Sequence, residues 1–177
     1  METELGPGWR AIEEGLNGRT TAFEDQIRTD RRGLTCLPML LDTHSPLDLV
    51  IVMLGTNDTK TRIHVPVNDI GLGWTKIADT VLRGYEYTEG RIPKLLLVAP
   101  PLILPSPGLT ETFEGAVEKS MRFAEILRGI ATQFGCHFFN SEDVVHSSPI
   151  DGIHLSPESQ ILLGKAMASL ASKILVG

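Results

Sequence analysis

Apolar residues along this chain follow two rhythms: short unbroken runs, and longer stretches in which they recur three and four positions apart. The run LDLVIVML (Leu47 to Leu54) is apolar at consecutive positions, as a central parallel strand covered on both faces requires. KLLLVAPP (Lys94 to Pro101) repeats that character, and CHFFN (Cys136 to Asn140) is a shorter candidate. WRAIEEGL, from Trp9 to Leu16, adds a possible strand ahead of these three. Helical spacing covers Leu34 to Thr43, Val67 to Arg83 and Thr110 to Phe134. The last of these puts Phe113, Val117, Met121, Ala124, Leu127 and Ile130 on one stripe and stops at Gly135. A C-terminal helix follows in QILLGKAMASLASKIL, with Ser156 as N-cap, Pro157 at the first helical position and Glu158 in the first turn. Strands alternating with helices predict an α/β fold with a parallel sheet covered on both faces. No repeat, low-complexity tract or linker interrupts the pattern, so residues 1–177 are expected to form one domain. The Pro-rich APPLILPSPG (Ala99 to Gly108) follows a strand end and is read as a rigid loop on the rim.

Composition narrows the partners. With 42% hydrophobic and 21% charged residues the chain is ordinary globular material. A net charge of −6 argues against a nucleic-acid partner, which needs clustered Lys and Arg to neutralise phosphates. The basic stretch RTDRR (Arg28 to Arg32) is broken by an Asp and reads as solvated surface. No apolar run approaches a membrane span and no signal peptide opens the chain, so no membrane partner is predicted and the cytoplasm is the expected location. Cys36 and Cys136 lack CxxC spacing and sit in apolar segments, which predicts two reduced, buried thiols. Neither a metal site nor a cofactor is predicted.

In a parallel sheet the ligand crevice lies beyond the C-terminal strand ends, so the residues just after each strand carry the information. GTND follows LVIVML directly: Gly55 allows a sharp turn, and the Asn57 amide could aim into the crevice as an oxyanion donor. An Asn-Asp turn that only ends the strand is an equal reading. LNGRTT offers the Gly18 backbone N–H as a second donor, or else a plain turn glycine. DGIH sets Asp151 and His154 three residues apart on the loop entering the last helix, as a carboxylate orienting a general base or as a turn Asp beside a surface His.

Taken together, LNGRTT, GTND and DGIH resemble the SGNH (GDSL) hydrolase family, whose signature blocks occur here in the family order. The likeness extends over essentially the whole chain and looks closest to the bacterial arylesterase and acyltransferase branch. It implies a flavodoxin-like three-layer α/β/α sandwich and metal-free hydrolysis of small acyl esters. It also implies that Asp151 and His154 are triad members, that Asn57 and Gly18 are oxyanion donors, and that the protein is a homo-oligomer. The family's Gly-Asp-Ser block, which holds the nucleophile, is absent from the chain. METELGPGW reads as a helix end, with Gly6 at the C-cap and Pro7 beyond it. A first strand and most of a first helix are therefore expected to be lacking. Other serines do not replace the nucleophile: Ser156 is the N-cap, Ser147 and Ser148 have no strand-to-helix elbow, and Ser45 precedes a strand. Two functions follow, a serine esterase whose nucleophile lies outside this chain, or a catalytically inactive ligand-binding or interaction module on the same fold. A nucleotide binder is disfavoured because no phosphate-cradling Gly-rich loop follows a strand.

Overall fold

The computed structural model describes residues 1–83 and 91–176. A single turn of helix, α1 (Glu2–Leu5), ends at Gly6, whose φ of 82° is the stop expected there. Helix α2 (Gly33–His44) leads into strand β1 (Leu49–Val52), and α3 (Val67–Leu82) precedes β2 (Lys94–Ala99). Then come α4 (Ala116–Ser120), α5 (Phe123–Phe134), β3 (His137–Asn140) and the long α6 (Pro157–Val176). The three strands pair in parallel in the order β1-β2-β3, with Val52 opposite Leu97 and Ala99 opposite Asn140.

Strand β2 shows why the layers form. Leu95, Leu97 and Ala99 face one side and pack with Trp74, Ile77, Val81, Phe123 and Leu127 of α3 and α5. Leu96 and Val98 face the other and meet Leu163, Met167 and Ile174 of α6. Both faces are apolar because both are covered, and each buried leucine stabilises the fold by roughly 1.5–3 kcal/mol. Helix α6 is long and apolar enough by length and composition to cross a membrane, which the sequence reading did not anticipate. Its apolar stripe is nevertheless spent on the sheet.

Several expectations are corrected. Trp9–Leu16 is not a strand: Ile12 and Leu16 stay exposed, and the segment is held by side chains instead of a ladder. Ala11 donates its N–H to Glu2 at 2.6 Å, and Glu14 meets His44 at 2.8 Å. A strand needs a neighbour, and among the described residues none lies beside this one. Among the described residues β1 lies at one side of the three-stranded sheet and β2 between its two neighbours. The helix expected over Thr110 to Phe134 is broken, since Gly115 sits at φ 72° and the chain leaves helical pairing again at Met121 and Arg122. The second break shifts the phase, so Phe123 is buried and Met121 is 65% exposed. Cys36 and Cys136 are both unpaired, but half-buried.

Candidate active site

The site is built on the turn after β1. Gly55 adopts φ 124°, and a Cβ there would lie 2.4 Å from the Trp74 ring, so only glycine fits. The ring is itself fixed: Nε1 donates to the Leu54 carbonyl at 3.1 Å, and the plane stands edge-on to Phe123 at 4.9 Å. This rigid seat starts a single 3-10 turn, Thr56–Thr59, that carries Asn57 and Asp58. Asn57 Nδ2 donates one N–H to the Arg19 carbonyl at 3.1 Å, and its second N–H has no protein acceptor among the described residues. Asp58 is fully buried and accepts from the Thr21 N–H at 2.9 Å and from the Thr21 hydroxyl at 2.6 Å. Burial pushes its carboxyl up to about 6, against the pull of the Thr21 bonds.

Gly18 therefore sits on a loop tied to the GTND turn at two points, through Arg19 and Thr21. Its φ is 85°, and its N–H donates to no described residue. Asn17 beside it accepts from Arg28 at 2.6 Å and, through its carbonyl, from Arg31 at 3.1 Å. The basic stretch read as plain solvated surface thus helps hold the Gly18 turn. Further along, Asp25 is fully buried in a two-pronged pair with Arg62, at 2.8 and 2.7 Å, with Lys60 at 3.7 Å. The guanidinium holds Asp25 well below the usual carboxylate range despite burial, and burial lowers Lys60. Sequence reasoning missed Thr21, Asp25, Asp58 and Arg62 as partners. Pairs 37 residues apart leave no periodic signal, although the Asp58 of GTND stood in the quoted motif.

On the other loop, Asp151 and His154 meet as the spacing suggested. Asp151 Oδ1 accepts the N–H groups of Ile153 and His154, each at 2.9 Å, and Oδ2 lies 2.7 Å from His154 Nδ1. Partial burial alone would raise the carboxyl, but these donors outweigh it and bring Asp151 down to about 2. An ionised Asp151 accepts only, so Nδ1 carries the imidazole proton and Nε2 is left as the free acceptor. The imidazole is 74% exposed, open to a reactant.

The Pro-rich loop braces this turn from behind. Leu104 donates its N–H to the Gly152 carbonyl at 2.8 Å, and the Ser106 hydroxyl donates to Pro149 at 2.8 Å. Gly152 has φ 73°, and a Cβ there would lie 2.2 Å from the Leu104 oxygen. The serines of the loop are committed elsewhere. Ser147 donates to the Leu102 carbonyl at 2.7 Å, Ser148 accepts from Ile150 at 3.2 Å, and Ser156 accepts from Ser159 at 3.2 Å as the N-cap. Among the described residues no serine hydroxyl bonds to His154, and no group of His, Cys, Asp or Glu is arranged to hold a metal ion.

The structure thus joins Asn57 to the Gly18 loop and Asp151 to His154; the Asn57 turn follows the C-terminal end of β1, and the Asp151–His154 turn lies in the segment between β3 and α6. Known proteins share the fold. The M. smegmatis aryl esterase superposes with a TM-score of 0.92 at 36% identity, covering 98% of this chain and 83% of its own. A carbohydrate acetylesterase from Sinorhizobium meliloti gives a TM-score of 0.92 at 39% identity, covering 98% and 82%. An esterase from Pseudoalteromonas sp., at 18% identity and TM-score 0.57 over 90% of this chain and 75% of that one, shares the fold alone. No curated protein matches significantly. The profile of the GDSL-like lipase/acylhydrolase family matches residues 2–160, and with solved esterases above 30% identity over nearly the whole chain, this protein belongs to that family, the SGNH hydrolases.

Proposed function

We propose that this chain supplies the general base, its orienter and the oxyanion donors for Ser-His-Asp acyl transfer on small esters. The observation that carries the reading is the Asp151–His154 pair, in which an ionised carboxylate fixes the imidazole tautomer and leaves Nε2 facing outward. In the reaction, a serine Oγ attacks the acyl carbon while His154 Nε2 takes its proton, and Asp151 stabilises the imidazolium. The carbonyl oxygen becomes an oxyanion, which the Gly18 N–H and the second N–H of Asn57 stabilise. Collapse expels the alcohol, which receives the proton from His154. Water then attacks the acyl-serine with His154 again as base; an alcohol in its place makes the step a transfer. The printed activities of the relatives, an aryl esterase and a carbohydrate acetylesterase, support a small acyl group on an aryl or sugar oxygen.

The serine is not among the chain's described candidates, because no Gly-Asp-Ser occurs and the loop serines are engaged. That observation favours one second reading, an inactive binding module on the same fold. Hydrolysis of p-nitrophenyl acetate separates the two. The 177-residue chain alone should run barely above buffer. The same chain preceded by a strand and turn carrying Gly-Asp-Ser should turn over, and a serine-directed phosphonate should abolish that activity. No gain on adding the segment would leave the binding module as the function.

A further inference from the structure

We infer that Asp58 is a positioning residue for the oxyanion donors: its buried carboxylate clamps Thr21 and so sets the distance between the Gly18 turn and Asn57. Asp58 directly follows Asn57, and Thr21 stands three residues beyond Gly18, so the clamp spans the two donor loops beside the donors themselves. The carboxylate accepts the Thr21 N–H with both oxygens, at 2.9 and 3.0 Å, and the Thr21 hydroxyl at 2.6 Å. The loops' other tie here, Asn57 Nδ2 to the Arg19 carbonyl at 3.1 Å, uses the very amide that must stay free to aim its second N–H. A single neutral hydrogen bond contributes about 1 kcal/mol, too little to fix two loops by itself.

Both ends of the clamp are rigid, so it transmits position. On the Thr21 side, the first N–H groups of α2 hold the loop from below, Gly33 donating to Thr20 and Leu34 to Thr21, each at 2.9 Å. Gly73 of α3 backs it closely; a Cβ there would lie 2.5 Å from the Thr21 hydroxyl. On the Asp58 side, Gly55 seats the turn on the Trp74 ring. Burying a carboxylate fully is costly unless its hydrogen bonds are worth more than the burial. Among the described residues Asp58 has no ion-pair partner within 4 Å, and Lys60, whose charge reaches it, pairs instead with Asp25, which Arg62 also engages. Asp58 is therefore held by Thr21 above all. The clamp is a finding about geometry; its catalytic meaning rests on reading Gly18 and Asn57 as oxyanion donors.

The test is a proton–nitrogen NMR spectrum of the full chain, read at the Gly18 N–H and the Asn57 side-chain NH2. In Asp58→Ala both sets of resonances should move, and the Thr21 amide should exchange with solvent roughly ten- to a hundredfold faster. Thr21→Val, which keeps shape and removes only the hydroxyl, should move the same resonances in the same direction by less, and it carries the test if Asp58→Ala does not fold. A faster Thr21 amide with Gly18 and Asn57 unmoved would make Asp58 a merely structural partner and overturn the inference. Unmoved resonances in Thr21→Val would do the same. The two possible failures are distinct: normal turnover in Asn57→Ala, once a nucleophile is supplied, strikes the donor roles, whereas unmoved resonances strike the clamp.

Discussion

Asp151 Oδ2 lies 2.7 Å from His154 Nδ1, and Oδ1 of the same carboxylate is held by two backbone N–H groups at 2.9 Å. One oxygen is thus fixed by the main chain so that the other can fix the imidazole. Asp151→Asn should keep the turn, because the amide oxygen can accept the same N–H groups. Its NH2 would then face Nδ1 as a donor and force the proton onto Nε2. With Gly-Asp-Ser supplied, turnover of p-nitrophenyl acetate should drop by roughly ten-thousandfold with little change in stability. A loss below tenfold would mean that Asp151 serves the turn alone.

Asn57→Ala removes the proposed oxyanion donor and the tie to Arg19 together. Turnover in the nucleophile-bearing chain should fall by roughly a hundredfold, with KM nearly unchanged, because the bond strengthens mainly as charge develops. A rise in KM at constant kcat would place Asn57 in ground-state binding.

Asp58 and Asp25 pull stability in opposite directions as pH changes. Asp58 is raised from 3.8 to about 6 by burial, so below 3.8 it is protonated in folded and unfolded chains alike. Between these values the unfolded chain ionises while the folded chain keeps its proton. Stability therefore falls as pH rises, by about 3 kcal/mol once pH 7 is reached. Asp25 is lowered, chiefly by its bonds from Arg62, so its contribution is present above the unfolded value and lost as pH falls below it. Urea unfolding from about pH 4 to pH 7 should show the decline in the wild-type chain and not in Asp58→Asn. Equal slopes in the two would mean that Asp58 titrates normally.

Gly152→Ala should destabilise the His154 loop. The backbone there has φ 73°, and the new methyl would meet the Leu104 oxygen at 2.2 Å. Backbone strain alone costs roughly 1–3 kcal/mol, before the Pro-rich loop is pushed away. Gly129→Ala is the control, since in mid-α5 its Cβ meets nothing within 4 Å. There the helix should gain up to roughly 1 kcal/mol. Chemical denaturation reads both, and a neutral Gly152→Ala would show that the two loops are not locked together.

The outer edge of β1 pairs with no described strand, and Ile150 and Ile161 are 83% and 61% exposed. Open edges and apolar side chains favour association. Sedimentation at micromolar concentration should therefore give a species larger than 19.3 kDa. A lone monomer would refute this.

Local pattern was enough wherever a segment's own residues decide its state. The strand character of Leu47 to Leu54 and Lys94 to Pro101 follows from continuous apolar runs, and the start of α6 from the cap chemistry of Ser156, Pro157 and Glu158. The Asp151–His154 contact was legible too, because three residues of loop can bring a carboxylate to an imidazole without help from the rest of the chain. Trp9–Leu16 shows the limit: its apolar content suggests a strand, but a strand exists only with a partner, and sequence does not say who stands beside whom. The helix expected over Thr110 to Phe134 failed for a related reason. Its Ser120 is buried, accepts the Ile103 N–H at 3.0 Å, and ties the segment to the loop after β2 across 17 residues. Asp58 to Thr21 and Asp25 to Arg62 were likewise decided only in three dimensions. Composition and spacing determined which continuous apolar runs become strands and which loops carry closely spaced polar side chains. The tertiary structure alone decided which buried polar groups find each other, because a charge removed from water must be matched by whatever partner the fold brings near, however distant along the chain.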